Sequence, residues 1–191
     1  MHGQGIVHGA LKGVRLWMPC HCPVDSLPSC QANILIDHSR QARLADFSLS
    51  ATAPDQQTTI NSWIESGSIP WMSPELLRPD KFGSNESRPT EQSDCYALGM
   101  VVYEVIGGQT PFGLEIAPGE VIQMVLEDKR PERPRTEEGK LLTDDIWGVL
   151  ERCWKHRPTD RASLEDVLKG LERNPILGTF LPFYFGQWAS I

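Results

Sequence analysis

Several residues of this chain are of types that do chemistry. Cys20, His21, Cys22 and Cys30 put four soft ligands into one short stretch. The Cys-x-Cys spacing is not that of a zinc knuckle, and no second ligand pair follows at finger-like distance, so a zinc site is not expected there. The other short motifs are weak taken one at a time: Asp46 by itself is a turn residue ending a strand, and Ser73-Pro74-Glu75 is a turn before a helix.

These residues need elements to position them. Asn33–Asp37 and Ala42–Asp46, separated by His38–Gln41, predict a β-hairpin. Ser48–Ser68 is rich in Ser, Thr and Gln and predicts a long mobile loop. Glu91–Ile106 is apolar on nearly every face, so it predicts a buried helix, stopped by Gly107-Gly108. A narrower stripe follows Pro118 at Val121, Ile122, Val125 and Leu126. Thr143 is placed to cap a helix striped by Ile146, Trp147, Leu150, Cys153 and Trp154, and Ser163 to cap one striped by Leu164, Val167, Leu168 and Leu171.

Composition narrows the classes. The chain has 191 residues, 40% hydrophobic and 23% charged, which fits one globular domain or a large piece of one. Its formal charge of −7 argues against nucleic acid as partner. No apolar run is long enough for a membrane span, and the first residues lack a signal-peptide pattern. Five cysteines do not make a disulfide framework. A soluble cytoplasmic protein is expected.

Order and spacing say more than any single motif. His8-Gly9-Ala10-Leu11-Lys12-Gly13 precedes Asn33-Ile34-Leu35-Ile36-Asp37, then Ala45-Asp46-Phe47-Ser48. Gly67 to Glu75 (Gly-Ser-Ile-Pro-Trp-Met-Ser-Pro-Glu) follows, then Ser93 to Gly99 (Ser-Asp-Cys-Tyr-Ala-Leu-Gly), and Cys153-Trp154, Pro158 and Arg161 close the series. This ordered set resembles the C-terminal lobe of a eukaryotic protein kinase, nearest the tyrosine-kinase-like group, over residues 5–171. The resemblance implies a kinase-like fold, C-terminal lobe only, mainly α with a small β-hairpin. It also implies ATP-dependent phosphorylation of protein Ser or Thr, with ATP and Mg²⁺ as cofactors and a protein as substrate or partner.

Residue by residue, the resemblance assigns Lys12 to the catalytic-loop lysine and Asn33 and Asp46 to the two metal ligands. Lys12 with Gly67-Ser68 is closer to Ser/Thr than to Tyr kinases. His8 and Asp94 match residues that support the catalytic loop, and Glu75 and Arg161 match a buried ion pair. The departures are severe. Ala10 stands where the family has its catalytic Asp, and loss of a positioned base lowers the rate by about 10²- to 10⁴-fold. Gly9 replaces an Arg, and Ser48 a Gly. The chain starts just before the catalytic loop, so a missing N-lobe and an impaired enzyme are expected, and nucleotide binding by this chain becomes doubtful. The alternatives are a pseudokinase binding module and the product of a truncated or mis-spliced gene model.

One interruption remains. Val14–Gln31 separates Gly13 from Ala32-Asn33, where the family has no gap, and removing those 18 residues restores His-Gly-Ala-Leu-Lys-Gly-Ala-Asn-Ile-Leu-Ile-Asp. Every valine codon begins GT and one glutamine codon is CAG, so this stretch could be a retained intron rather than a surface loop. Residues 172–191 read as an apolar tail carrying Phe180, Phe183, Tyr184, Phe185 and Trp188. Without the helix that packs beside Glu91–Ile106 in kinases, part of that helix is expected to stay uncovered.

Overall fold

A computed structural model describes residues 7–16, 33–36, 42–45, 60–134 and 142–174. Asp46, Cys20, His21, Cys22, Cys30 and the tail beyond Asn174 lie outside these residues.

The expected hairpin is present. Strands β2 (Ile34–Ile36) and β3 (Ala42–Leu44) pair antiparallel, Ile34 opposite Leu44 and Ile36 opposite Ala42. A third strand, β1 (Val14–Leu16), lies parallel to β2 with Val14 opposite Ile34. The first residues of the interrupting segment thus extend the sheet, where its sequence carries no periodicity. A parallel neighbour needs a crossover connection, which only a stretch of this length supplies.

The helices carry the core. Helix α3 (Glu91–Gly107) starts at a reciprocal cap, in which Thr90 Oγ1 accepts from Ser93 N and Ser93 Oγ accepts from Thr90 N. It ends at Gly108, whose φ of 71° suits glycine at a helix C-terminus. Its side chains from Ser93 to Tyr103 are all buried. Among its apolar residues only Val105, at 55%, is well exposed. The expectation of an uncovered face therefore does not hold: α5 (Asp144–Cys153), the turn Ile69–Trp71 and the turn Pro158–Asp160 all contact α3. The Thr143 and Ser163 caps form as expected, on α5 and on α6 (Leu164–Glu172). Gly170 lets α6 approach α5 closely, since a Cβ there would lie 2.7 Å from Val149 Cγ2. Helix α4 (Pro118–Leu126) buries Val121 and Val125.

The long polar loop needs a correction. Residues 60–65 form helix α1 (Ile60–Glu65), with Trp63 only 3% exposed in the core. Burying an indole outweighs the weak helix preference of the Ser- and Asn-containing sequence around it. Helix α2 (Pro74–Leu77) follows, burying Leu76 and Leu77.

Candidate functional site

The site is assembled from the first turn of α3 outward. The Asp94 carboxylate accepts from His8 N at 2.7 Å and from Gly9 N at 2.8 Å. One buried side chain thereby fixes two consecutive backbone N–H groups of a loop 85 residues away. Gly9 has φ 79°, a left-handed conformation that glycine adopts without strain. His8 is fully buried; its Nδ1 accepts from Ala10 N at 3.2 Å, so Nε2 carries the proton and donates to the Ala45 carbonyl at 3.0 Å. Both ring nitrogens are engaged in shaping the loop against the end of β3.

Asn33 ties the loop to the sheet. Its Nδ2 donates to the Ala10 carbonyl at 2.7 Å, its backbone N–H to the Lys12 carbonyl at 3.0 Å, and its own carbonyl accepts from Ala45 N at 2.9 Å. Lys12 points the other way. The residue is buried, and its ammonium donates to the Ser66 carbonyl at 2.9 Å and to Ser68 Oγ at 3.0 Å, while Ser66 Oγ lies 2.7 Å from Ser68 Oγ.

Between these groups lies a small cleft of about 20 Å³, room for little more than a water molecule, lined by Ala10, Leu11, Trp63, Ser68, Trp71 and Met72. At Ala10 it presents a methyl group, which neither accepts a proton nor orients a hydroxyl. Among the described residues no three His, Cys, Asp or Glu side chains converge on a metal position. Magnesium takes octahedral oxygen coordination, and of the two residues assigned to it Asn33 alone is described, with its amide nitrogen committed to Ala10. The described residues therefore do not by themselves make a metal–nucleotide site.

Glu75 and Arg161 do meet. Arg161 Nη1 and Nη2 reach Glu75 Oε1 and Oε2 at 2.7 and 2.6 Å, a two-pronged pair with the arginine side chain fully buried. The guanidinium also donates to the Gln92, Lys155 and His156 carbonyls. Its Cζ lies 5.1 Å from the Tyr96 ring centroid, and that of Arg130 lies 5.3 Å from the same ring. Burial pushes the Tyr96 phenol up to about 12.

Two features of the cleft wall escape sequence reasoning. Trp71 Nε1 donates to Glu104 Oε2 at 3.2 Å, and burial pushes the Glu104 carboxyl up to about 7. The signal is an acid in the apolar run from Cys95 to Ile106 of α3. Ser66 has no distinguishing signal, because Lys12 reaches its backbone carbonyl.

The model of the protein tyrosine and serine/threonine kinase family matches residues 29–171, well over half of the chain. The chain belongs to the protein kinase family. Its described residues make the helical lobe of a eukaryotic kinase domain of tyrosine-kinase-like type. It is 30% identical over 180 residues to a light-sensor protein kinase of Ceratodon purpureus, covering 90% of this chain and 13% of that protein. It is 28% identical over 179 residues to the serine/threonine-protein kinase mos of Patiria pectinifera, covering 90% of this chain and 42% of that protein. With the serine/threonine-protein kinase CTR1 of Arabidopsis thaliana it shares 30% identity over 148 residues, 75% of this chain and 16% of the relative. The chain thus spans less than half the length of each of these relatives. Kinases of this family use ATP and Mg²⁺ and act on proteins. No described helix is long and apolar enough to cross a membrane.

Proposed function

We propose that this kinase domain, as the 191-residue chain, is a catalytically impaired pseudokinase that acts in signalling by binding proteins. The observation that carries the reading is Ala10, a methyl group where the family has its base, in a loop whose supports persist: Asp94, His8, Asn33 and Lys12 each make hydrogen bonds that hold it. Selection for phosphoryl transfer would act first on the base, and selection for a folded binding surface on its supports.

The Lys12–Ser68 bond supports descent from Ser/Thr-directed kinases, in which this lysine contacts the hydroxyl residue of the activation segment. Asn33 and Asp46 are what remains of the metal pair. No Gly-rich phosphate loop or Val-Ala-x-Lys strand occurs within the 191 residues. ATP·Mg²⁺ then binds this chain with a dissociation constant above about 1 mM, weaker than roughly −4 kcal/mol. The test is calorimetry with ATP·Mg²⁺ together with radiolabelled phosphate transfer to a generic protein substrate, on the chain itself and on Ala10→Asp. Neither binding nor transfer is expected from either. Micromolar ATP binding, or labelling by the unmodified chain, would overturn the proposal.

A further inference from the structure

Four residues of α3 share one stripe of the helix. Asp94, Leu98, Val101 and Val105 follow each other at three- and four-residue spacing. The other sides of α3 are occupied: Gly99 faces Cys153 of α5, Gly107 faces Leu142 and Pro134, and Glu104 meets Trp71. On the stripe, the His8–Gly9 turn takes the first position through the Asp94 carboxylate. Val101, two turns further on, is 1% exposed, yet it lies outside the contiguous core that the other buried apolar residues of α3 share. Val105 follows one turn later and is 55% exposed.

The described chain ends close to the open end of that stripe. Asn174, buried just past α6, donates from Nδ2 to Thr143 Oγ1 at 3.2 Å. The neighbouring Leu142 is fully buried against α3, and a Cβ on Gly107 would lie 3.2 Å from its Cδ1. Gly107 is two residues past Val105, and Val101 stands about 9 Å back from Gly107 along the helix axis. The 17 residues after Asn174 span up to about 55 Å when extended, so they reach Val101 with length to spare. They carry no charged side chain and nine large apolar ones, five of them aromatic. Residues 1–6, next to His8 in sequence, hold only two, Met1 and Ile6. An uncharged segment of the first kind gains most by lying on apolar surface.

We propose that residues 175–191 fold back across α3 and cover Val101, with Val105 at the edge of the contact. The segment is then an intramolecular strap on the stripe of α3 whose first turn holds the His8–Gly9 turn. The face it meets is aliphatic and β-branched, which selects by shape and apolarity and needs no charge. The C-terminal segment and the loop anchor thus bear on one helix, at opposite ends of the same stripe.

The test uses the full chain with Val105 replaced by the photo-crosslinker p-benzoyl-phenylalanine, at a position open enough to accept it. Irradiation followed by peptide mapping is expected to link position 105 to a peptide within residues 175–191, in a yield independent of protein concentration. A link that joins two chains and grows with concentration would make a second copy the occupant. That outcome, a link to residues 1–6, or no link at all would each overturn the proposal. Phe183→Ser combined with Phe185→Ser in the full chain should cut the yield several-fold. It should also lower the thermal midpoint by about 4–8 °C, roughly what uncovering one valine costs a domain of this size. If that variant does not fold, the link in the chain with its native tail still decides. A yield and a midpoint that both survive the double replacement would equally overturn the proposal.

Discussion

The Glu75–Arg161 region and the Ala10 region sit in the same lobe and have been treated differently. In the first, every prong of the guanidinium is matched: two carboxylate oxygens, three backbone carbonyls and an aromatic face. In the second, the supports are all in place and the group they would present is a methyl. Removing a buried partner exposes its mate to a full desolvation penalty, whereas removing a base that faces a cleft leaves no buried charge behind. Folding free energy therefore guards the ion pair but not the base. A kinase lobe can lose its chemistry at small cost in stability, and its chemistry is the easier part to lose.

The comparison can be broken most sharply at the ion pair. Glu75→Ala leaves the Arg161 charge buried without its carboxylate and is expected to destabilise the fold by about 3–5 kcal/mol, a large part of a domain's whole net stability. Thermal or urea unfolding measures it. The double replacement Glu75→Gln with Arg161→Met should recover only the part due to the uncompensated charge, because the Gln92, Lys155 and His156 carbonyls lose their donor. A Glu75→Ala chain as stable as the parent would remove the asymmetry on which the comparison rests.

Asp94 comes next. Asp94→Ala strands the His8 and Gly9 N–H groups, with an expected loss of about 2–4 kcal/mol and faster amide exchange at those two positions. Amide exchange that is unchanged at His8 and Gly9 would mean the carboxylate is not their anchor.

A smaller effect belongs to Glu104. Its folded-state pKa of about 7 lies above the ordinary 4.5 because burial disfavours the charged form. The neutral form is thus favoured in the fold. The stability this contributes is fully present below pH 4.5 and is lost as pH rises through 7. Since the carboxyl is partly solvated, the change is about 1 kcal/mol. Glu104→Gln keeps an acceptor for the Trp71 indole without the charge. It should melt higher than the parent at pH 8 and equally at pH 5; a pH-independent difference would contradict this.

Much of this architecture was legible in one dimension. Thr143 and Ser163 each sit one residue before a helix whose apolar spacing matches the observed burial, and Glu91–Ile106 is apolar on nearly every face, so α3, α5 and α6 follow from local chemistry. The hairpin follows from two apolar runs and a polar gap. What was illegible was non-local. Helix α1 forms because Trp63 finds a core built mainly from residues beyond it in sequence. Strand β1 forms because β2, a crossover away, has an open edge. At the site, the motif order brought out Asn33, Lys12, Asp94 and His8, with Ser68 as partner of Lys12 and the loop backbone as partner of Asp94, but not their other partners. The carbonyls of Ala10, Ala45 and Ser66 carry no side-chain signature.

The smallest expected effect concerns residues 14–31. Shortening the connection between Lys12 and Asn33 from 20 residues to 2 recovers about 2 kcal/mol of loop-closure entropy, offset in part by loss of the β1 ladder. A chain lacking Val14–Gln31 should therefore melt a few degrees higher, by about 1 kcal/mol. A marked fall in melting temperature would mean that β1 is integral to the lobe.

The hydrogen bond from Asn33 N to the Lys12 carbonyl gives this region a wider use. In a chain without residues 14–31 it joins the first and fourth residues of a β-turn, so the polypeptide leaves the lobe and returns to it at a single doorway one turn wide. A doorway of that kind admits cargo of any length without moving its posts. Gly13, with φ 52°, is the hinge on the outgoing side. The same opening is a place to graft an epitope, a fluorescent reporter or a second small domain whose termini lie close together.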